Sequence, residues 1–192
     1  MPLASSTLLS PHFTARELGA DRPEAHSGIV QALYAQADYL ERVRVILNSR
    51  LVVNDATHFN RGFRPPEANA AVGGVPTSSH QTGEASDVVP IDFSGSLFDA
   101  HNALKKAKAE GRLPPFDQII YYPANGFIHI GRGPKMRNEF RVSLYEGQGG
   151  TPLVSAENIA ALGKAVLAAA QRNAPLLVLV LFAAVAIILT EA

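Results

Sequence analysis

The chain has 192 residues, enough for one domain with its own core and a modest appendage. Lysine plus arginine and aspartate plus glutamate number 17 each, so net charge leaves no electrostatic footprint for nucleic acid. Cysteine is absent, which excludes disulfides, thiol nucleophiles and Cys-ligated metal sites and leaves His and carboxylate as the ligands for any metal.

The opening residues, Met1 to Ser6, have neither a basic n-region nor an apolar h-region, so a cleaved secretory signal is not expected. Residues 13–18 read as a short helix, with Thr14 and Glu17 spaced as a capping box. The clearest helix is predicted over 29–48. Ile29, Leu33, Ala37, Leu40, Val43 and Leu47 recur at three- and four-residue steps, and Asp38, Glu41, Arg42 and Arg44 fill positions between them. Leu51-Val52-Val53 reads as a short strand. The stretch from Asn54 to Ser79 is rich in Gly, Pro and Asn and is expected to be an irregular surface loop carrying function.

A strand over 85–89 is stopped by Pro90. A second helix is predicted over 97–110, with Ser96 as N-cap and Gly111 ending it. Residues 118–122 and 127–130 are apolar strands joined by the turn sequence Pro123-Ala124-Asn125-Gly126, and 141–145 adds another strand. Gly147-Gln148-Gly149-Gly150 reads as a linker, and 155–172 as an Ala-rich helix capped by Ser155. From Leu176 to Leu189 no residue is polar. That is short of the roughly 18–20 apolar residues of a usual spanning helix. Being apolar on all sides, it is nevertheless expected to be membrane-embedded, and basic Lys164 and Arg172 on its N-terminal flank favour a cytoplasmic position for the preceding domain. The expected organisation is an α+β domain over 1–146 with a small antiparallel sheet and flanking helices, a linker and helix over 147–173, and a C-terminal apolar helix over 174–190.

Chemistry concentrates in two places. His80 and Asp87 lie seven apart across Gly83, and Asp87 adjoins Val88-Val89, where a carboxylate entering a core needs a partner. His129 sits in Phe127-Ile128-His129-Ile130, sharing one strand face with Phe127. Two imidazoles and a carboxylate leave a fourth position open, which suits a catalytic zinc. The plainer alternative is a core histidine bonded to an aspartate, and a His2Asp set also serves non-haem iron. His12, His26 and His101 have no such pattern, and His58, within reach of the site along the chain, reads as a surface histidine.

The stretch from Gly62-Phe63-Arg64-Pro65 through Ser79-His80-Gln81-Thr82-Gly83 to Asp87 resembles the central signature of the M15 metallopeptidases. It is most similar to the D-Ala-D-Ala carboxypeptidase-like (M15A) subfamily of bacteria and phages. Phe13-Thr14-Ala15-Arg16-Glu17-Leu18 and Phe116-Asp117-Gln118-Ile119-Ile120-Tyr121 fit the same pattern, so the resemblance covers roughly residues 12–132. It implies a Hedgehog/D-Ala-D-Ala-peptidase-like fold with His80, Asp87 and His129 as zinc ligands. It also implies that Arg64 binds the substrate carboxylate or polarises its carbonyl, and that peptidoglycan stem peptides are the substrate. A guanidinium suits the role, since it holds a carboxylate through two parallel bonds.

The chain departs from that pattern at the general base. Relatives place an acid after the Gln-Ile-Ile-Tyr strand or three residues before the last histidine, where this chain has Tyr122 and Gly126. Tyrosine is a poor base at neutral pH. Glu84 and Asp117 are the acids considered as replacements, and Tyr122 itself is a hydrogen-bond donor. Two functions follow: an endolysin-like zinc peptidase of the bacterial envelope or a phage particle, or a metal-binding, weakly active or inactive wall-binding or structural component. The apolar tail is expected to make either membrane-associated.

Overall fold

The computed structural model describes residues 2–55 and 59–143. The chain divides into two units, residues 1–150 and 151–192, and every described residue belongs to the first. The expected linker, Ala-rich helix and apolar tail lie outside the described residues. Among the described residues, no helix is long and apolar enough to cross a membrane.

The elements are β1 (Leu8–Ser10), β2 (Phe13–Thr14), α1 (Ala15–Leu18), α2 (Ser27–Leu47), β3 (Leu51–Val52), α3 (Pro66–Ala71), β4 (Ala85–Pro90), α4 (Leu97–Ala109), β5 (Gln118–Tyr122), β6 (Phe127–Gly131) and β7 (Glu139–Val142). The strands β1 and β2 form a small antiparallel ladder, and the main sheet has the order β3-β4-β6-β5-β7. The expected α+β class is present, with one correction to the sheet. Three of the main ladders are antiparallel, but β7 runs parallel to β5. A parallel neighbour needs a connection that returns the chain to the same end, and the turn-by-turn reading of hairpins does not anticipate that.

Local signals explain most of the helix ends. Thr14 and Glu17 close a reciprocal capping box on α1, and Ser96 and Asp99 do the same on α4. The expected irregular loop over 54–79 contains α3. Its start is a proline signal, with Pro65 at the N-cap and Pro66 in the first turn, where a missing N–H costs nothing.

The sheet has two different faces. Val88, Ile119, Ile128 and Ile130 point into the main core, which also holds Leu33 and Leu40 of α2 and Leu104 of α4. Each such side chain contributes about 1.5–3 kcal/mol on full burial. Gln36 of α2, fully buried, donates from Nε2 to the Ile130 carbonyl at 3.0 Å and fixes the helix on β6. On the opposite face Ile120, Tyr122 and Phe127 form a second, smaller apolar cluster. Alternation along β6 therefore sends Ile128 and Ile130 inward and leaves Phe127 and His129 on the other face.

Candidate metal centre

The second face carries the histidines. Asp87 of β4 is the direct cross-strand partner of His129 on β6, and His129 is in turn paired with Ile120 on β5. Register alone thus places the carboxylate and one imidazole side by side. His80 comes from the loop before β4, which is closed by Gly83 at φ +73° and by the bond from Glu84 N to Ser79 O at 2.9 Å. A Cβ at Gly83 would stand 3.1 Å from the Ile29 carbonyl oxygen, so the turn lies against α2 where a side chain has little room.

Three atoms converge. His129 Nδ1 is 2.8 Å from Asp87 Oδ1, His80 Nε2 is 3.2 Å from the same oxygen, and the two ring nitrogens are 3.1 Å apart. His80 and Asp87 are each 1% exposed, so solvent does not mediate this contact. A first-row divalent metal holds nitrogen and oxygen ligands at about 2.0–2.2 Å, which puts tetrahedral ligand atoms about 3.3 Å apart. The observed spacings are close to that.

Tautomer chemistry strengthens the fit. His80 Nδ1 lies 2.8 Å from the Gly62 carbonyl oxygen, which can only accept, so Nδ1 carries the proton and donates. Neutral His80 then presents a bare lone pair from Nε2 to a carboxylate oxygen and to a second imidazole. Two acceptors facing each other at this distance need a cation between them. Protonating His80 is one way to supply it, but burial pushes that imidazole below its ordinary pKa, against an opposing pull from Asp87. Burial on its own would raise the Asp87 carboxyl; the adjoining His80 and His129 rings outweigh it and hold the group below the usual carboxylate range. A metal ion satisfies all three ligands at once. Among the described residues, His80, Asp87 and His129 are the group arranged to hold one.

The backbone from Arg61 to Arg64 braces this cluster. Asp87 N donates to Arg61 O at 2.7 Å, Phe63 N to Leu18 O at 2.8 Å, and Arg64 N to His80 O at 3.1 Å. Gly62 passes so close to α1 that a Cβ there would lie 2.5 Å from the Leu18 carbonyl oxygen. The segment needs glycine at this point to bring its carbonyl to His80. The role of Gly62 in orienting His80 is not legible in the sequence beyond a glycine beginning the Gly-Phe-Arg motif.

Arg64 is not a solvated loop arginine. It is 1% exposed and its Nη2 stands 3.6 Å from Asp87 Oδ2, on the carboxylate oxygen that does not face the imidazoles. Its charge supports the ligand from behind. Tyr122, by contrast, lines a cavity of about 530 Å³ together with His80, His129 and Ile120, and packs edge-on against Phe127 with ring centroids 5.3 Å apart. Glu84 accepts from Thr82 Oγ1 at 2.8 Å and is not among the residues lining that cavity. Asp117 does line it, 5% exposed, but both its oxygens are taken by Arg137, from Nε at 2.7 Å and Nη2 at 2.8 Å. The hydrogen bonds from Arg137 hold the Asp117 carboxyl below its ordinary range, and it is a correspondingly poor base. The structure thus gathers His80, Asp87, His129 and Arg64 at one centre with Tyr122 beside it, and leaves Glu84 off the cavity.

No curated protein matches the chain. The family described as Peptidase M15 matches residues 11–131, a span that contains Arg64, all three convergent ligands and Tyr122. With that match covering well over half of its length, the chain belongs to the Peptidase M15 family.

Proposed function

We propose that this protein is a zinc-dependent peptidase that hydrolyses peptidoglycan stem peptides. The observation that carries the reading is the convergence of His80 Nε2, Asp87 Oδ1 and His129 Nδ1 beside a cavity of about 530 Å³ in a chain of the Peptidase M15 family. Zinc, when bound by such ligands, makes water acidic enough to attack near neutral pH and takes up charge on a substrate carbonyl oxygen. The chain's own residues prepare that chemistry. Gly62 fixes the His80 tautomer, and Arg64 neutralises the far oxygen of Asp87 so that the near one stays a ligand. The Tyr122 phenol, on the cavity wall beside His129, is a donor for the carbonyl oxygen of a bound peptide.

A specific observation favours a second reading, a metal-binding module with little or no activity, kept as a wall-binding or structural component. Position 122 carries tyrosine in place of an acid, and Asp117, the carboxylate on the cavity lining among the described residues, is clamped by Arg137. In either case we propose that the apolar sequence 174–190 attaches the protein to a membrane of the bacterial envelope or of a virus particle. Fractionation tests that part: protein recovered with membranes supports it, and full solubility without detergent removes it.

The test of function is direct. The zinc-loaded full chain is incubated with a synthetic stem pentapeptide or with purified peptidoglycan, and products are identified by mass spectrometry. Cleavage that disappears with chelator and in His80→Ala supports the peptidase. Metal bound without any cleavage supports the second reading.

A further inference from the structure

The cavity beside the metal centre is lopsided in charge. Three of its ionisable lining residues, Lys135, Arg137 and Arg141, are cations, and they face a single lining carboxylate, Asp117. All three come from the segment that leads into β7 and from β7 itself. Arg64, the arginine that the family pattern would assign to a substrate carboxylate, is buried behind Asp87 and is not on the lining. The cations that an incoming peptide meets are therefore different ones.

Register sets their distance from the metal ligands. Asp87, His129, Ile120 and Arg141 occupy one cross-strand row, because Ile120 pairs with both His129 and Arg141. Paired residues point to the same face, and Arg141 lies two strands from His129, about 10 Å between their backbones at about 4.8 Å per strand. An extended peptide advances at most about 3.3–3.6 Å per residue. A carboxylate one to three residues from a bond held at the metal centre falls within reach of this wall.

The wall is exposed over residues 134–138, but hydrogen bonds to Phe116 and Asp117 hold its backbone in place. Asp117 accepts from the Arg137 backbone N–H at 3.3 Å as well as from its guanidinium. Asn138 N donates to Phe116 O at 2.8 Å, and Asn138 Oδ1 accepts from Phe116 N at 3.3 Å. On either side of Arg137, Met136 and Asn138 hold left-handed backbone, at φ +47° and +53°. Non-glycine residues persist in that region only when their surroundings fix them, and ligand clamps are where they gather. Glu139 sits beside the wall without joining the lining. It accepts from Arg141 Nε and Gln118 Nε2 and stands 3.6 Å from Arg137 Nη1, so it orients both arginines and offsets part of their charge, while Lys135 adds a further cation to the lining.

We propose that Lys135, Arg137 and Arg141 form a carboxylate-binding subsite that selects peptides bearing a free carboxylate close to the scissile bond. This rests on the peptidase reading of the neighbouring metal centre. Two sources of that carboxylate exist in a stem peptide, its C-terminus and the free carboxylate of an acidic residue within it. Both present the same chemistry to a guanidinium or an ammonium.

The experiment measures equilibrium binding and cleavage together, on the zinc-loaded full chain. The probes are one stem pentapeptide as the free acid, the same peptide amidated at its C-terminus, and the same peptide amidated at its internal acidic residue. Amidating the recognised carboxylate is expected to weaken binding by about ten-fold or more, and amidating the other to change it little. Lys135→Gln and Arg141→Gln should each shrink that preference, and the two together should reduce it to under about three-fold. Arg112→Gln, exposed on a different part of the surface, should leave it unchanged. Equal binding of all three peptides, no binding of any, or a preference that survives the double substitution would overturn the subsite. Preferential binding without cleavage leaves the subsite standing and removes the peptidase. Cleavage of acid and amides at equal rates does the reverse.

Discussion

Arg64 and Asp87 are a buried ion pair, Nη2 to Oδ2 at 3.6 Å, with each residue only 1% exposed. Buried charge is costly, and removing one partner of such a pair generally destabilises by about 3–5 kcal/mol because the other is left uncompensated. We expect Arg64→Ala to lose stability of that order in the metal-free protein. Zinc supplies a cation to Asp87 from the other side, so it should raise the melting temperature of Arg64→Ala by more than that of the wild type. Thermal unfolding with and without zinc measures both; an equal zinc shift in the two proteins would separate Arg64 from the metal centre.

Gly62→Ala probes the brace on His80. The added Cβ would meet Leu18 backbone atoms, the carbonyl oxygen at 2.5 Å and the carbonyl carbon at 2.7 Å, and backbone cannot step aside as a flexible side chain can. The Gly62 carbonyl must then move away from His80 Nδ1. Loss of an outer partner of this kind typically costs about 10–100-fold in metal affinity. Competition against a chromophoric chelator reads the value, and an unchanged affinity would show that the 2.8 Å bond to His80 is dispensable.

Tyr122→Phe separates metal binding from turnover. The ring keeps its edge-on contact with Phe127 at 5.3 Å, and only the phenol oxygen is lost. Zinc affinity should remain within about two-fold, while kcat on the stem peptide should fall by about 10²-fold, the usual cost of one oxyanion donor. Loss of zinc from Tyr122→Phe would mean that the ligand set is wrongly drawn.

Acid sensitivity should trace in part to His101. It is 3% exposed among aromatic rings, with centroids 5.4 Å from Phe140, 6.4 Å from Tyr121 and 6.5 Å from Phe98. Burial pushes its imidazole below the ordinary value of 6.5. In the unfolded chain it titrates near that ordinary value, so below about pH 6.5 the unfolded state binds more protons than the folded one. Stability is therefore full above that pH and falls as pH drops through the window beneath it. His80 shares the direction in the metal-free protein, also through burial. Denaturant titrations across pH 5–8 should show a shallower acid-side loss for His101→Phe than for the wild type; identical slopes would contradict the assignment.

The sequence discloses the site better than it discloses the frame around it. Asp87 and His129 each stand in an apolar strand where an unpartnered polar group is costly, and strand register then brings them face to face. The capping box at Thr14 is equally plain, being a local pattern of four residues, and the N-cap at Ser96 is legible too, although its reciprocal partner Asp99 comes only from the structure. By contrast α3 was hidden in a stretch whose Gly and Pro content reads as loop, although Pro66 in its first turn was the available signal. The parallel seat of β7 beside β5, and with it the position of Arg141, depends on contacts between segments remote in sequence. So does the burial of Arg64. Its motif points to a substrate-facing guanidinium, and only the packing of 61–64 against Leu18 and β4 reveals that it faces the ligand instead. For Glu84 no local pattern tells which side of the turn it takes; the structure pairs it with Thr82 and leaves it off the cavity lining.

The most direct test of the whole account is zinc stoichiometry of the full chain, loaded with excess metal, desalted and analysed by plasma mass spectrometry. About one zinc per chain is expected in the wild type, with loss of most of it in His80→Ala, Asp87→Ala and His129→Ala proteins that remain folded by circular dichroism. A wild type that retains no zinc, or a His80→Ala/His129→Ala double variant that retains it all, would contradict the claim that these three residues form the metal centre.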